Sequence, residues 1–577
     1  MNVYVIDIII FNHLKRKGNL NMSKIFQKLK KPSFYIIIVL ICLRIFLGWA
    51  SGIQFNSIDT YDDALFIAYT DLQTHFLSPN YLSLVKTMSF PLFLNFVKAT
   101  GLQFSIITSL LWIIDAFYFK RLIKMISKNK WIEYFSFVYV LFFPTAFELW
   151  QGTRVYRNTI IAPFVMFMFI YMIEFTYKNL NRHISVLDCL ISIIMSIVFT
   201  FTYYIKEDGL WLLACLLFFI LVNIVISIFN VKKVKQKIKY ILTIFLCFSL
   251  MISGFSCITS YYKYTNTKYF GVPEIETRNG GELGEFAANI YKIDSNKRNM
   301  IYWAPKDAID KAWKTSKTLQ EHPELYQAII NTPWYGNIGQ NPIQGDFLTW
   351  VLRTALYDTG LWTNEKNVSD LFHQVNEELE KGFEDGTLKK DTRIQLLSSA
   401  GGRTFREIIS LAPLVYKSFL GSIFLEGYIP GINSIGNSED SEVTKSAADY
   451  TNTSYIEDYS KKFHSNFLDK VIQILFWIYR IMNCVLFISI LITIGFYLFR
   501  LFRYGFKAVH KNASFLFLTS LICLGIGVVY AIAISWFSQF IFISGVNMSI
   551  LNFYVIGLPV LLSFSYFTSL VYLVEYS

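Results

Sequence analysis

Ten apolar runs dominate this sequence: residues about 33–50, 102–123, 131–149, 159–178, 186–204, 210–230, 239–260, 478–500, 513–536 and 548–572. Each is long enough to cross a hydrocarbon layer of about 30 Å. Inside such a layer water cannot satisfy backbone N–H and C=O groups, so each run must be helical. The expected fold is therefore mainly α, a polytopic membrane protein of about ten transmembrane helices. The charge content fits, since only 16% of residues are charged, against about 25% in soluble domains. That deficit excludes a disordered chain, a collagen-like fibre and an ordinary soluble enzyme.

The net charge of +12 would suit a nucleic-acid partner, but its distribution does not. Residues 261–466 hold 27 acids and 22 bases, a balance of −5; the remainder holds 31 bases and 14 acids, a balance of +17. The excess bases lie in short loops between apolar runs, as basic cytoplasmic loops do. One such loop carries Lys120, Arg121, Lys124, Lys128 and Lys130, a second Lys232 to Lys239, and a third Arg500, Arg503, Lys507 and Lys511. Threading ten helices in order puts all three on the side of the basic amino terminus. The expected partners are membrane lipids, not nucleic acid, and the expected location is a plasma membrane crossed many times.

This threading divides the chain into a cytoplasmic basic leader (1–32), a membrane domain of seven spans (33–260), an extracytoplasmic domain (261–466) and three final spans (467–577). Met22, followed by Lys24, Lys28, Lys30 and Lys31, reads as the true start. The insert is long enough for its own core and is expected to be mainly helical. Leu371, Phe372, Val375, Leu379 and Phe383 recur at helical spacing, with Gly386 as the stop, and Phe347–Tyr357 shows a similar stripe. Gly431–Thr453 reads as a mobile loop, and Phe467–Met482 as an amphipathic segment on the outer surface. The seven cysteines all lie in or beside apolar runs, so the insert carries no disulfide.

Three polar clusters fall on the outer side. The first is loop 51–101, where Asp59-Thr60-Tyr61-Asp62-Asp63 precedes a greasy stripe over Ala64–Phe76, and Lys86 leads through Pro91 into Leu92–Val97. This predicts two interfacial helices that hold a carboxylate pair and a lysine at the membrane surface. A carboxylate there can take a proton from an acceptor hydroxyl, and a lysine can hold a phosphate; equally, Asp62 or Asp63 can serve only as a helix cap. The second cluster is the turn Gln151-Gly152-Thr153-Arg154-Val155-Tyr156-Arg157, whose arginine forks suit phosphate oxygens or snorkel to headgroups. The third is Lys206-Glu207-Asp208-Gly209, either a solvated hairpin turn or a partner of the arginines. A divalent metal is chemically possible at Asp62, Asp63, Glu207 and Asp208, since hard cations prefer oxygen. Arg44, inside the first span, needs a partner. In the insert, Asp346, Arg353 and Asp358 read as part of a structural helix or as acceptor contacts. HExxH, Walker and GxSxG motifs are absent, and Gly280, Gly281 and Gly284 form too weak a pattern to define a phosphate site.

The first loop resembles that of the GT-C glycosyltransferases, in particular protein O-mannosyltransferases and lipid A aminoarabinose transferases. These are multi-span enzymes that use a polyprenyl-phosphate-linked sugar. The resemblance rests on Tyr61-Asp62-Asp63 before an apolar helix, then Lys86-Thr87-Met88-Ser89-Phe90-Pro91-Leu92-Phe93. It implies that Asp62 stands for the family's Asp, Asp63 for its Glu and Lys86 for its phosphate-binding Lys. The sequence departs from the family in having Asp for Glu and no proline next to Lys86. Asp62-Asp63-Ala64-Leu65, the Arg154–Arg157 turn, Glu207-Asp208-Gly209 and the large insert also resemble a group of uncharacterised bacterial membrane proteins. The expected function is transfer of a sugar from a polyprenyl-phosphate donor to an envelope glycan, lipid or protein. Asp62 and Asp63 would act on the acceptor; Lys86, Arg154 and Arg157 would hold the donor phosphate; Lys206, Glu207 and Asp208 would support them. Transport or lipid flipping is the alternative, although no duplicated half is visible. A non-catalytic envelope protein that binds a partner through its insert is a third.

Overall fold

The computed structural model describes residues 32–56, 62–230, 234–331, 343–431, 434–435, 442–453, 466–505, 510–542 and 544–576. The basic leader, together with Asp59, Thr60 and Tyr61 of the first motif, lies outside the described residues. The chain is mainly helical. Among the described residues eight helices are long and apolar enough to cross a membrane, and the bent pair Ser89–Thr100 and Phe104–Ile126, which meet at 106°, gives a ninth candidate. This makes the chain a multi-pass membrane protein.

Several runs differ from the even ladder expected. The run at 131–149 is helical only over Lys130–Leu141, a rise of about 18 Å at 1.5 Å per residue. Pro144 is the reason: it lacks an N–H and forces Phe143 to extended backbone, which Phe143 adopts at φ −55° and ψ 129°. The chain then runs through a buried irregular loop to Asn158, where the next helix, Asn158–Leu180, begins. The last run is divided into Met548–Tyr554 and Gly557–Tyr576. Phe467–Met482 is not a separate surface segment; it is the first part of one continuous helix, Asn466–Tyr504. The boundary drawn at 261 likewise falls inside a single helix, Val234–Phe270.

The first loop is helical where the sequence predicts helix. The greasy stripe forms two helices, Asp62–Thr70 and Leu72–Leu77, because Asp71 accepts the Thr74 N–H and caps the second. The helix expected after Lys86 is Ser89–Thr100, with Pro91 in its first turn. In the insert, Leu348–Asp358 and Glu365–Glu384 are helices, and Gly386 follows the second in the left-handed region at φ +81°. Of Gly431–Thr453, Glu442–Tyr450 is a helix rather than loop.

Two cores result. One unites the apolar helices with Leu414, Ile423, Leu425 and Tyr428 of the insert's carboxyl-terminal part. That part includes Ala412–Phe424, an apolar helix not anticipated because Pro413 and Lys417 interrupt the pattern. The second core lies within residues 283–411 and takes in Trp536 from the Lys511–Ser538 helix and Phe540 from the Gln539–Ile541 turn that follows it. Arg403 fastens this junction by donating to the Trp536 carbonyl at 2.5 Å, while the Trp536 indole donates to Gly401 at 3.1 Å. Arg44, buried in the first helix, donates to Ser109 Oγ at 3.1 Å and lies over the Phe147 ring at 4.6 Å.

Opposite ends of the helices carry opposite kinds of contact. At one end Lys120 meets Glu133 at 3.6 Å, Arg121 meets Glu174 at 2.7 Å and Lys178 meets Asp188 at 3.0 Å. At the other end lie the first loop, the 142–157 loop, the 204–209 turn and the insert.

Candidate active site

The segment between the first interfacial helices and Ser89 fixes Lys86 before any charge is considered. The Tyr69 hydroxyl accepts the Val85 and Lys86 N–H groups at 3.0 and 3.3 Å. The insert clamps the same segment from outside: Thr277 N–H donates to the Leu84 carbonyl at 2.7 Å, and Arg353 donates to the Tyr81 carbonyl at 2.5 Å. Arg353 is itself held by Glu365 at 3.0 Å. Lys86 is thus wholly buried, and its ammonium group must find anions nearby.

It finds two. Lys86 Nζ lies 2.7 Å from Asp62 Oδ2 and 3.7 Å from Glu207 Oε1, with side-chain exposures of 0%, 27% and 11% respectively. Glu207 also pairs with Arg157 through its other oxygen. Tyr156 donates to Asp62 at 3.2 Å and accepts from Arg157 Nε at 3.1 Å. Asp63 faces a different cation. Arg154 forks onto both of its oxygens at 2.8 and 2.5 Å, and the Asn56 N–H adds a contact at 3.4 Å. The adjacent acids therefore have different surroundings: Asp63 is fully enclosed, whereas Asp62 keeps an accessible face.

The insert adds groups that sequence reasoning missed. Arg278 is ion-paired with Asp346 and acts electrostatically on Asp62 and Glu207. The Trp350 ring lies between the cations, 5.4 Å from Lys86 Nζ and 5.3 Å from the Arg278 guanidinium. Tyr156 likewise had no assigned role.

Electrostatics distinguish the groups. Burial raises the Asp62 carboxyl, but Lys86, Arg157 and Arg278 outweigh it and hold the group below the usual carboxylate range. Glu207 is likewise depressed, burial being overcome by Arg157 and Lys86. Burial pushes Asp63 upward against the opposing pull of Arg154. Lys86 is lowered because burial exceeds the attraction of Asp62 and Glu207. Lys206, also lowered by burial, lines with Asp208 a small interhelical cavity walled by Trp211 and Tyr530, so these two flank the cluster without an ion pair to it among the described residues.

The structure thus brings Asp62, Asp63, Lys86, Arg154, Arg157 and Glu207 into one network at one end of the helices. Among the described residues no three His, Cys, Asp or Glu side chains gather to hold a metal ion; Asp62, Asp63 and Glu207 each face a cation instead. Around Lys86, the three carboxylates Asp62, Glu207 and Asp346 match the three cations Lys86, Arg157 and Arg278. A phosphate entering this network must take a cation from a carboxylate. Fold and network define a multi-pass membrane protein with a charged, aromatic-lined cluster at one helix end. No protein-family model, curated protein or solved structure matches the chain.

Proposed function

We propose that this protein is a GT-C-type membrane glycosyltransferase that moves a sugar from a polyprenyl-phosphate donor to an extracytoplasmic envelope acceptor. The supporting observation is the pairing of half-buried Asp62 with wholly buried Lys86 at 2.7 Å, beside Arg157 and Glu207. A lipid phosphate supplies the anion that Lys86 and Arg157 can hold once the carboxylates yield them. Asp62, released from Lys86, then accepts the proton of the acceptor hydroxyl as that oxygen bonds to the sugar's anomeric carbon. The bond from that carbon to the phosphate oxygen breaks, and the lipid phosphate leaves with the electron pair. Asp63 and Arg154 position the Asp62 helix against the loop that carries Arg157.

In this reading the chain crosses a bacterial plasma membrane ten times, counting Pro32–Ala50, the bent pair and the short Lys130–Leu141 helix, and leaving the apolar Phe405–Phe424 stretch of the insert outside the bilayer. The basic loops face the cytoplasm, and the site and insert face outward. The insert, which supplies Arg278 and Trp350, meets the acceptor. The test uses membranes containing the full chain and a radiolabelled prenyl-phosphate sugar: label should pass to non-lipid or lipid-linked product and fail to do so with Asp62→Asn. Undiminished transfer by an Asp62→Asn protein that accumulates normally would remove Asp62 from the mechanism.

Transport or lipid flipping draws on a different observation, the short Lys130–Leu141 helix and the bent pair at 106°, since discontinuous helices mark many transporter sites. Substrate movement across reconstituted vesicles without covalent product would favour it.

A further inference from the structure

The loop that follows Lys130–Leu141 contains a second polar site, separate from the Asp62 network. Buried irregular backbone and side chains persist only where protein, water or an ion satisfies their polar groups. Here the loop is buried, yet Thr145 Oγ1, Glu148 Oε1, Gln151 Oε1 and Thr153 Oγ1 have no hydrogen-bond partner of ordinary geometry among the described residues. Exposure is 2% for Thr145, 0% for Glu148, 1% for Gln151 and 3% for Thr153. Glu148 has no cationic partner within 4.0 Å among the described residues; its other oxygen accepts the Trp150 N–H at 2.8 Å, and the backbone N–H groups of Gln151 and Ile429 also act on the carboxyl.

The backbone draws these residues together. The Glu148 carbonyl accepts the N–H groups of Gly152 and Thr153 at 2.8 and 3.2 Å. A second strand closes the other side: Leu149 N–H donates to Ile429 at 3.1 Å and Gly431 N–H to Phe147 at 3.0 Å. Between them the Tyr428 hydroxyl faces Gln151 and Glu148. The packing leaves no room for a larger residue at the turn, since a Cβ on Gly152 would sit 2.2 Å from the Thr145 carbonyl oxygen.

We propose that this loop binds a single alkali cation, sodium or potassium, through the Glu148 carboxylate and the side-chain oxygens of Thr145, Gln151 and Thr153. Buried orphan oxygens are costly and call for a ligand, and hard cations take oxygen donors. Burial pushes the Glu148 carboxyl up to about 8, so a proton and an alkali cation compete for it; the cation also takes the neutral oxygens beside it as ligands, which a proton cannot. A monovalent ion brings Glu148 to neutrality. A divalent ion would leave a net positive charge beside Arg154, the next residue after Thr153, whose countercharge is already Asp63. The bound ion holds rigid the loop whose far end carries Arg154 and Arg157. This inference is independent of the sugar-transfer proposal.

The test is thermal unfolding of the purified full chain in detergent, in sodium, potassium or choline chloride at equal ionic strength, with equilibrium dialysis against radioactive sodium and rubidium. The expected result is a midpoint that rises saturably with one alkali cation over choline, one ion bound per chain, and loss of both in Glu148→Gln. Should Glu148→Gln fail to accumulate, Thr153→Val should still fold and require a several-fold higher cation concentration for half-saturation. Equal midpoints in all three salts with no retained isotope would mean ordered water or a proton on Glu148 instead and overturn the proposal, as would stabilisation by calcium alone.

Discussion

Neighbouring acids at 62 and 63 should respond in opposite ways to the same neutralisation. Asp63→Asn leaves the Arg154 guanidinium, 4% exposed, without the carboxylate that binds both its nitrogens. Stranding one member of a buried pair costs about 3–5 kcal/mol. At roughly 2 °C per kcal/mol for a large chain, the unfolding midpoint should fall by about 6–10 °C. Asp62→Asn removes a carboxylate with 27% exposure, and Lys86 keeps Glu207 at 3.7 Å. Its stability cost should stay within about 1–2 kcal/mol, whereas loss of a proton acceptor should reduce transfer by about 10²–10⁴-fold. The assays are fluorescence-detected unfolding of the purified chain and transfer from a radiolabelled prenyl-phosphate sugar. Adding Arg154→Met to Asp63→Asn should recover part of the lost stability, because the stranded charge is then gone. Equal midpoint losses for the two single variants, or no recovery in the double variant, would refute this division of roles.

Arg278→Ala should lower transfer by at least about tenfold, the effect of 1.4 kcal/mol, despite lying in the insert, because its charge acts on Asp62 and Glu207; unchanged kinetics would detach the insert from the site. In pH profiles, Asp62 and Glu207 have folded values below their unfolded ones. Their contribution to stability is therefore present above the ordinary carboxylate range, about 3.9–4.3, and is lost as pH falls through the depressed folded values. Donor phosphate takes Lys86 from Asp62, so the acid limb of kcat should lie at higher pH than that of kcat/KM; coincident limbs would contradict this exchange. Gly152→Ala should destabilise by about 1–3 kcal/mol through backbone overlap with Thr145, read as a lowered unfolding midpoint.

Helical periodicity and apolar length carried most of the fold: the helices at Glu365–Glu384 and Leu348–Asp358 and the interfacial pair were legible because side-chain spacing alone reports them. The early end of the third helix was legible in principle at Pro144, but the apolar run continues through it and hydropathy does not register a missing N–H. Ala412–Phe424 was hidden for the converse reason, since a lysine and a proline mask a segment that packs with the membrane helices. For the site, charged residues beside apolar runs were a sufficient signal for Asp62, Lys86, Arg157 and Glu207. Arg278 was not legible, because nothing in its local sequence states which distant surface its loop will meet. The separate fates of Asp62 and Asp63 depend on side-chain direction in three dimensions, which adjacency in sequence does not encode.

The network around Lys86 draws on residues 62, 86, 157, 207, 278 and 346, so its construction spans about half of the chain's synthesis. A newborn polypeptide that has reached Arg157 already carries three of these charges but has no Glu207 to receive the arginine, and Arg278 arrives later still. Domains generally form as units during synthesis, yet this cluster cannot close until the insert has been made and folded back onto the first loop. Chaperones or translocon partners that shield half-made charge clusters would thus act on this protein late, and arrest before Asp346 should leave an inserted but inactive intermediate.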